Sequence, residues 1–375
     1  MLSLVRTGPL FQIAGYGARR VPVFVDKPTM QIFWPATAWM VYLATVPGSS
    51  RSPNTWSTYA TGLLEWLRTC AVNGWDWSRP DIENVAQYRN AMTSRPSSYT
   101  NRVLARATIN GYVRALCLFY SWAHRHKYVS VADFLGFLDD GKLTYEPAGS
   151  FGRRNPLLLP SDSERIPRFY SRVEIRSILD KQSPRAALIS EWGFESGARR
   201  HEIAALTVDD VRGLMKSSGP FGVLRLTTTK GSRKRDLFVP RSLIERTARY
   251  VATYRRLCHV DAARLPALWL TQRGGGVSPK TITSEFIAAR KLVGIPTGTF
   301  HDLRHTFAIN MLDRLHRAHW QDGSSIRDPL LALQRLLGHR SASSTARYLT
   351  ARQLYLLNLW DDQDESFGEL VSAAV

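Results

Sequence analysis

At 375 residues the chain is too long for one ordinary core and suits two domains of roughly 100 to 200 residues each. A hydrophobic share of 44%, with 11 Trp, 15 Phe and 14 Tyr, excludes a disordered chain. The formal net charge of +19 comes from 50 Lys and Arg against 31 Asp and Glu scattered through folded-looking segments, which favours a nucleic acid held in a groove over a basic tail or a membrane surface.

Residues 1–30 mix Arg6, Arg19 and Arg20 with the β-branched run Val21 to Val25, and read as an N-terminal extension. From about Pro35 the pattern turns helical. Ser52-Pro53 starts a helix on which Tyr59, Leu63, Leu67 and Cys70 recur, until Asn73-Gly74 stops it. Asp81 begins a second helix, and a third carries Ile109, Val113, Leu116, Tyr120 and Ala123 at alternating steps of four and three. Residues 31–145 are therefore expected to form a small helical bundle. Arg102, Arg106, Arg114, Arg125 and Lys127 near its last helix suit a solvated face and phosphate contact equally.

Gly149, Gly152, Pro156 and Pro160 punctuate residues 146–165, which read as a linker. Residues 166–349 then begin with helices near Ser171–Lys181 and Arg185–Ser196. Two strand-like runs, Gly222–Thr228 and Arg235–Val239, flank Thr229-Lys230-Gly231-Ser232, which reads as a hairpin tip. Helices follow from about Arg241, Pro279, His301, Asp328 and Ser343, and residues 350–375 form a tail. The expected class is mainly α with a small β-hairpin, in two domains.

Cys70, Cys117 and Cys258 are odd in number, far apart and without CxxC spacing, so neither a disulfide framework nor a zinc site is expected, and a reducing cytosol fits. No apolar leader follows Met1, and no stretch approaches the roughly 18 to 20 apolar residues of a bilayer span. The expected location is the cytoplasm, on the nucleoid, with no membrane.

Four separated pieces share one chemical theme. In Gly197-Ala198-Arg199-Arg200-His201-Glu202, Gly197 ends one helix and Arg199 starts the next, with Glu202 placed to orient it. Lys230 sits at the hairpin tip. In His301-Asp302-Leu303-Arg304, His301 and Arg304 share one helix face, while Leu303, Phe307 and Met311 turn to the core. Leu337-Gly338-His339 is followed nine residues later by Tyr348, on a helix that also carries Thr345. Taken singly, a histidine such as His339 or a tyrosine such as Tyr348 is more often structural.

Together they resemble the tyrosine recombinase (phage integrase) family, whose ordered signature is an Arg after a glycine turn, a hairpin Lys, a His-x-x-Arg box, a Leu-Gly-His box and a Tyr nine residues on. Arg199, Lys230, His301 with Arg304, His339 and Tyr348 match it in order over about residues 170–350. The bundle at 31–145 looks like the family's core-binding (SAM-like) domain, on architecture alone. The resemblance implies a two-domain clamp that cleaves and rejoins double-stranded DNA through a 3′-phosphotyrosyl bond at Tyr348. Arg199 and Arg304 would bind the scissile phosphate with help from His339, and Lys230 would protonate the leaving 5′ oxygen. His301 would accept or relay the tyrosine proton, and Glu202 would hold the site in register.

Those residue types suit the chemistry. A tyrosine with a pKa near 10 needs activation, and two arginine forks match phosphate oxygens. No carboxylate cluster competes as a two-metal nuclease, so no cofactor or metal is expected. The resemblance further implies integration, excision or transposition of a mobile element by a homo-tetramer in a synaptic complex, with accessory DNA-bending or directionality proteins. The tail, with Leu354, Leu356, Leu357, Leu359 and Trp360 before Asp361-Asp362-Gln363-Asp364-Glu365, would dock on a neighbouring subunit or pack on its own domain. The stretch from Arg304 to His339 is about a dozen residues longer than is typical, and the excess around 316–329 reads as a surface insertion. Alternatives are a type IB topoisomerase or hairpin resolvase-like enzyme, or a DNA-binding protein with a disused site.

Overall fold

Buried apolar residues collect into separate cores on either side of Arg165, and the chain divides accordingly into two units, Met1–Arg165 and Ile166–Val375. The structure, a computed structural model, describes residues 2–8, 12–13, 16–17, 20–46, 53–96, 101–140, 157–160, 167–226, 235–259, 261–321, 328–339 and 341–361, with the backbone alone at 12–13, 16–17, 137–140, 318–321 and 354–361. It is mainly helical with small antiparallel strand pairs.

The first unit opens with β1 (Leu2–Arg6), β2 (Gln12–Ile13), β3 (Tyr16–Gly17) and β4 (Pro22–Asp26), paired β1 to β4 and β2 to β3. Helices α1 (Trp34–Thr45), α2 (Pro53–Asn73), α3 (Ile82–Ser94), α4 (Arg106–Arg125) and α5 (Ala132–Asp140) follow. The residues read as an extension belong to this unit. Val21 and Phe24 are fully buried in its core, so the short β run is packed against the helices. Arg68 on α2 donates to the Leu2 carbonyl at 2.8 Å. Trp66 and Tyr120 join α2 to α4, the indole N–H donating to the phenol oxygen at 2.8 Å. Part of the stretch read as linker is also tied here: Leu157 is buried in the same core, and Asn110 exchanges two hydrogen bonds with the Leu159 backbone.

The second unit runs α6 (Arg172–Asp180), α7 (Pro184–Ser196), α8 (Arg200–Ala204), α9 (Val208–Met215), β5 (Phe221–Leu226), β6 (Arg235–Pro240), α10 (Arg241–Ala252), α11 (Tyr254–Leu257), a 3-10 turn (Ala262–Arg264), α12 (Pro279–Leu292), α13 (His301–Gln321), α14 (Pro329–Leu337) and α15 (Ser343–Asp361). Five of its helix starts are capped by side chains that satisfy orphan backbone N–H groups: Ser171 with Glu174 as a capping box, Ser183, Thr207, Ser278 and Asp328. Strands β5 and β6 pair from Phe221 opposite Pro240 to Leu226 opposite Arg235.

Helix α13 is the spine of this unit and packs on α7, α14 and α15. Leu303, Phe307, Ala308 and Leu312 line its buried face. The helix continues to Gln321, so the first residues of the stretch read as an insertion extend it, while 322–327 lie outside the described residues. No described helix is long and apolar enough to cross a membrane.

Candidate active site

Four of the six predicted reactive residues, Arg199, Arg304, His339 and Tyr348, meet around the C-terminal end of α14. Helix α7 ends at Gly197, held left-handed at φ 65°, and the chain turns at once into α8 with Arg199 as its N-terminal cap residue. Arg199 donates from its backbone N–H to Glu202 Oε2 at 2.8 Å and from Nη1 to Oε1 at 2.9 Å. Glu202 thus orients Arg199 as expected from its spacing.

Helix α14 ends at Gly338 in the same left-handed conformation, which aims its last carbonyls at the arginines. Arg199 Nη2 donates to the carbonyls of Leu337 at 3.2 Å and Gly338 at 3.4 Å. Arg304, on the first turn of α13 and only 2% exposed, donates to the carbonyls of Gly197 and, at 2.5 Å, Leu337. Burial, then Arg199 and Arg235, bring the Arg304 guanidinium down to about 9, so it keeps its charge at neutral pH.

Arg235, not among the residues singled out from the sequence, completes the cluster. It donates to Glu202 Oε2 at 2.5 Å and Oε1 at 3.3 Å, and to the Leu336 carbonyl at 2.8 Å. Burial alone would raise the Glu202 carboxyl, but the bonds and charge of Arg235, with those of Arg199, override it and hold it at about 2. Three guanidinium groups therefore meet where Glu202 is the bonded carboxylate, an excess of positive charge suited to a phosphate.

His339 follows Gly338 and bonds through Nδ1 to the Thr345 hydroxyl at 3.0 Å, with its ring 6.1 Å from that of Tyr348. Partial burial, then Arg304, Arg199 and Arg235, lower it to about 3, leaving it neutral. Tyr348 on α15 is 2% exposed, and burial raises its hydroxyl above the ordinary tyrosine value against the pull of Arg304, Arg347 and Arg199.

The hydrogen-bond partner of Tyr348 is His305, whose Nδ1 lies 2.7 Å from the hydroxyl oxygen. His301, to which the family resemblance assigned this proton, is exposed one turn earlier on α13, its ring edge-on to His305 with centroids 4.8 Å apart. Partial desolvation and Arg304 lower His301. His305 could have been found from the sequence, since positions 301, 304 and 305 share one helix face. Arg235 could not, because its partners lie 33 and 101 residues away. Lys230 lies outside the described residues. Among the described residues no group of three or more His, Cys, Asp and Glu could hold a metal ion.

Comparison with known proteins gives the family. Residues 162–354 match the sequence model of the phage integrase family, just over half of the chain, and the chain belongs to that family. Among curated relatives, the tyrosine recombinase XerC of Agrobacterium fabrum is 33% identical over 159 residues, 42% of this chain and 45% of that protein. The XerC of Bacillus licheniformis is 28% identical over 261 residues, 65% of this chain and 70% of that one. The chain thus spans about half the length of several of the curated relatives it matches. The fold is shared with XerH recombinase bound to a palindromic difH substrate in a post-cleavage complex, at a TM-score of 0.56 and 16% identity over 88% of this chain and 83% of that one. A lambda integrase (75–356) dimer bound to a COC′ core site gives 0.54 and 15%, over 84% and 93%.

Proposed function

We propose that this protein is a site-specific DNA recombinase that breaks and rejoins strands through a 3′-phosphotyrosyl intermediate at Tyr348. The observation that carries this reading is the convergence of Arg199, Arg304 and His339 near Tyr348, with more guanidinium than carboxylate charge in the cluster. A scissile phosphate supplies the missing anion.

In the forward step the Tyr348 oxygen attacks phosphorus, the P–O5′ bond breaks, and the electron pair leaves on the 5′ oxygen. Arg199 and Arg304 exchange carbonyl contacts for the nonbridging oxygens, whose charge grows in the transition state. His339 donates to the same phosphate. Lys230, which falls between β5 and β6 in the chain, protonates the departing 5′ oxygen. The phenol proton passes to His305 or, through it, to His301. The reverse sequence with a new 5′ hydroxyl reseals the strand, and the phosphotyrosyl bond conserves the phosphodiester energy, so neither metal nor nucleotide is consumed.

The finer reading is of an enzyme of a mobile element, acting in the cytoplasm in integration, excision or transposition. Four protomers on two DNA sites, linked by the tail after residue 350 and aided by DNA-bending or directionality proteins, would perform the exchange. The domain reading assigns DNA binding to 31–145 and catalysis to 166–349. The basic surplus of the chain and the apolar then acidic composition of the tail support it.

The test incubates the parent and Tyr348→Phe with a pool of nicked duplexes of randomised sequence, in EDTA without ATP, and resolves products on a denaturing gel. A covalent protein–DNA adduct from the parent alone is expected. An adduct that survives in Tyr348→Phe, or one that needs metal, overturns the reading.

A further inference from the structure

Arg235 is the first residue of β6, opposite Leu226 at the last described rung of the hairpin. Its side chain is 7% exposed, and each of its three nitrogens is spent inward, two on Glu202 and one on the Leu336 carbonyl. Its Cδ lies 2.8 Å from where a Cβ on Gly338 would sit, so the turn that delivers His339 is moulded against this one side chain. A group so engaged has no free face for DNA.

Burying an ion pair costs desolvation that its own attraction barely offsets, and Glu202 already has Arg199 as a partner. A second buried guanidinium there adds positive charge that Glu202 alone does not balance. A structure selected for stability alone would place an apolar residue at that position. The arginine fork is, however, the side chain able to grip both carboxylate oxygens and still reach a carbonyl on another helix.

We infer that Arg235 is a positioning residue for strand cleavage: by gripping Glu202 and the Leu336–Gly338 turn together, it sets Arg199 and His339 in one geometry for the scissile phosphate. This rests on the reading of the site as a phosphotyrosyl-forming centre. Arg235 touches neither DNA nor the reacting atoms and acts through the two residues that do.

Arg235→Lys keeps the charge and loses the fork, Arg235→Met loses both, and Gly338→Ala pushes the same contact from the other side. Each is compared with the parent by thermal unfolding, by binding of an intact duplex that the parent cleaves, and by single-turnover adduct formation on the nicked form. A misplacement on the order of 1 Å costs about 100-fold in such chemistry, so Arg235→Lys is expected to bind DNA like the parent and cleave about 100-fold more slowly. The rate losses of Arg235→Lys and Gly338→Ala should fall short of multiplying in the double variant, because both spoil one contact. An Arg235→Lys protein that cleaves at the parent rate, or whose loss only follows the fraction unfolded, overturns the inference while leaving the parent's adduct intact. Losses that multiply independently overturn the link to the turn. If the parent itself forms no adduct, the reading of the site falls first and the inference with it.

Discussion

His305 Nδ1 stands 2.7 Å from the Tyr348 hydroxyl oxygen, so the proposed nucleophile is held by the chain neighbour of Arg304 on the same helix turn. Burial, then His301 and Arg347, lowers His305 to about 3, and its Nε2 faces Asp302 Oδ1 at 4.0 Å. A neutral ring protonated on Nε2 leaves Nδ1 to accept the phenol proton. With Tyr348 raised and His305 depressed, transfer between the two is uphill. An arriving phosphate adds the negative charge that favours an imidazolium.

His305→Ala is therefore expected to slow adduct formation about 100-fold at neutral pH without weakening DNA binding, the size typical of lost positioning or proton transfer. Single-turnover cleavage of a nicked duplex, beside a binding titration, measures both. Parent-like cleavage would remove His305 from the reaction.

The same depressed groups set the response to acid. His305 and His339 sit at about 3 in the folded protein, against an ordinary value near 6.5, so between those limits the unfolded chain binds more protons. Stability is complete above about pH 6.5 and falls as pH drops toward 3, by at most about 1.4 kcal/mol per pH unit for each histidine. Partial exposure of the rings reduces that slope. Denaturant unfolding at pH 7 and pH 5 should show the loss, and His305→Gln should make the decline shallower. An unchanged decline would mean that His305 is not held neutral.

The site was legible in the sequence where local rules set the geometry. Gly197 ahead of Arg199, Glu202 at the third helical position and Gly338 ahead of His339 are helix-end chemistry, and the structure has each of them at a helix end. The fold was legible where periodicity is strong, as on α4. It was not legible where partners are distant in the chain. Arg235 reads as a strand terminus until α8 and α14 are beside it. Val21 and Phe24 read as a short β run with nothing to say that they enter a helical core. Leu157 lies in a proline- and glycine-rich stretch, and its own burial depends on a core built by helices earlier in the chain.

Gly197 supplies a test of how tightly the site is built on that turn. A Cβ there would overlap the Phe307 ring, and the residue sits at φ 65°. Gly294, in the same unit, has φ 73° and open space around its missing Cβ. Gly294→Ala should cost about 1–2 kcal/mol for the left-handed backbone alone. Gly197→Ala should cost about 2–4 kcal/mol because overpacking adds to it. Urea unfolding of both variants measures the difference, and equal losses would mean that Phe307 yields freely.

The helix of Tyr348 has a second tie to the helix of Arg304, one turn beyond Tyr348. Arg352 donates to Asp313 Oδ1 from Nη2 at 2.9 Å and from Nε at 3.2 Å, while Arg317 takes Oδ2 at 2.9 Å. Tyr348 and Arg352 share one face of α15, and His305 and Asp313 share one face of α13, so the two contacts form successive rungs between the helices. Asp313 is largely buried, and a charge-assisted bond there is worth about 1.5–3 kcal/mol, although the partial exposure of Arg352 and the second partner Arg317 bring the expected loss nearer 1 kcal/mol. Arg352→Ala should therefore destabilise the protein modestly yet slow adduct formation about tenfold, because α15 can shift while the Arg199 and Arg304 site is untouched. Thermal unfolding and single-turnover cleavage, read together, test this. If cleavage falls only with the fraction folded, the rung supports the fold and does not aim the tyrosine; if it falls further while DNA binding holds, α15 is kept in register by Asp313.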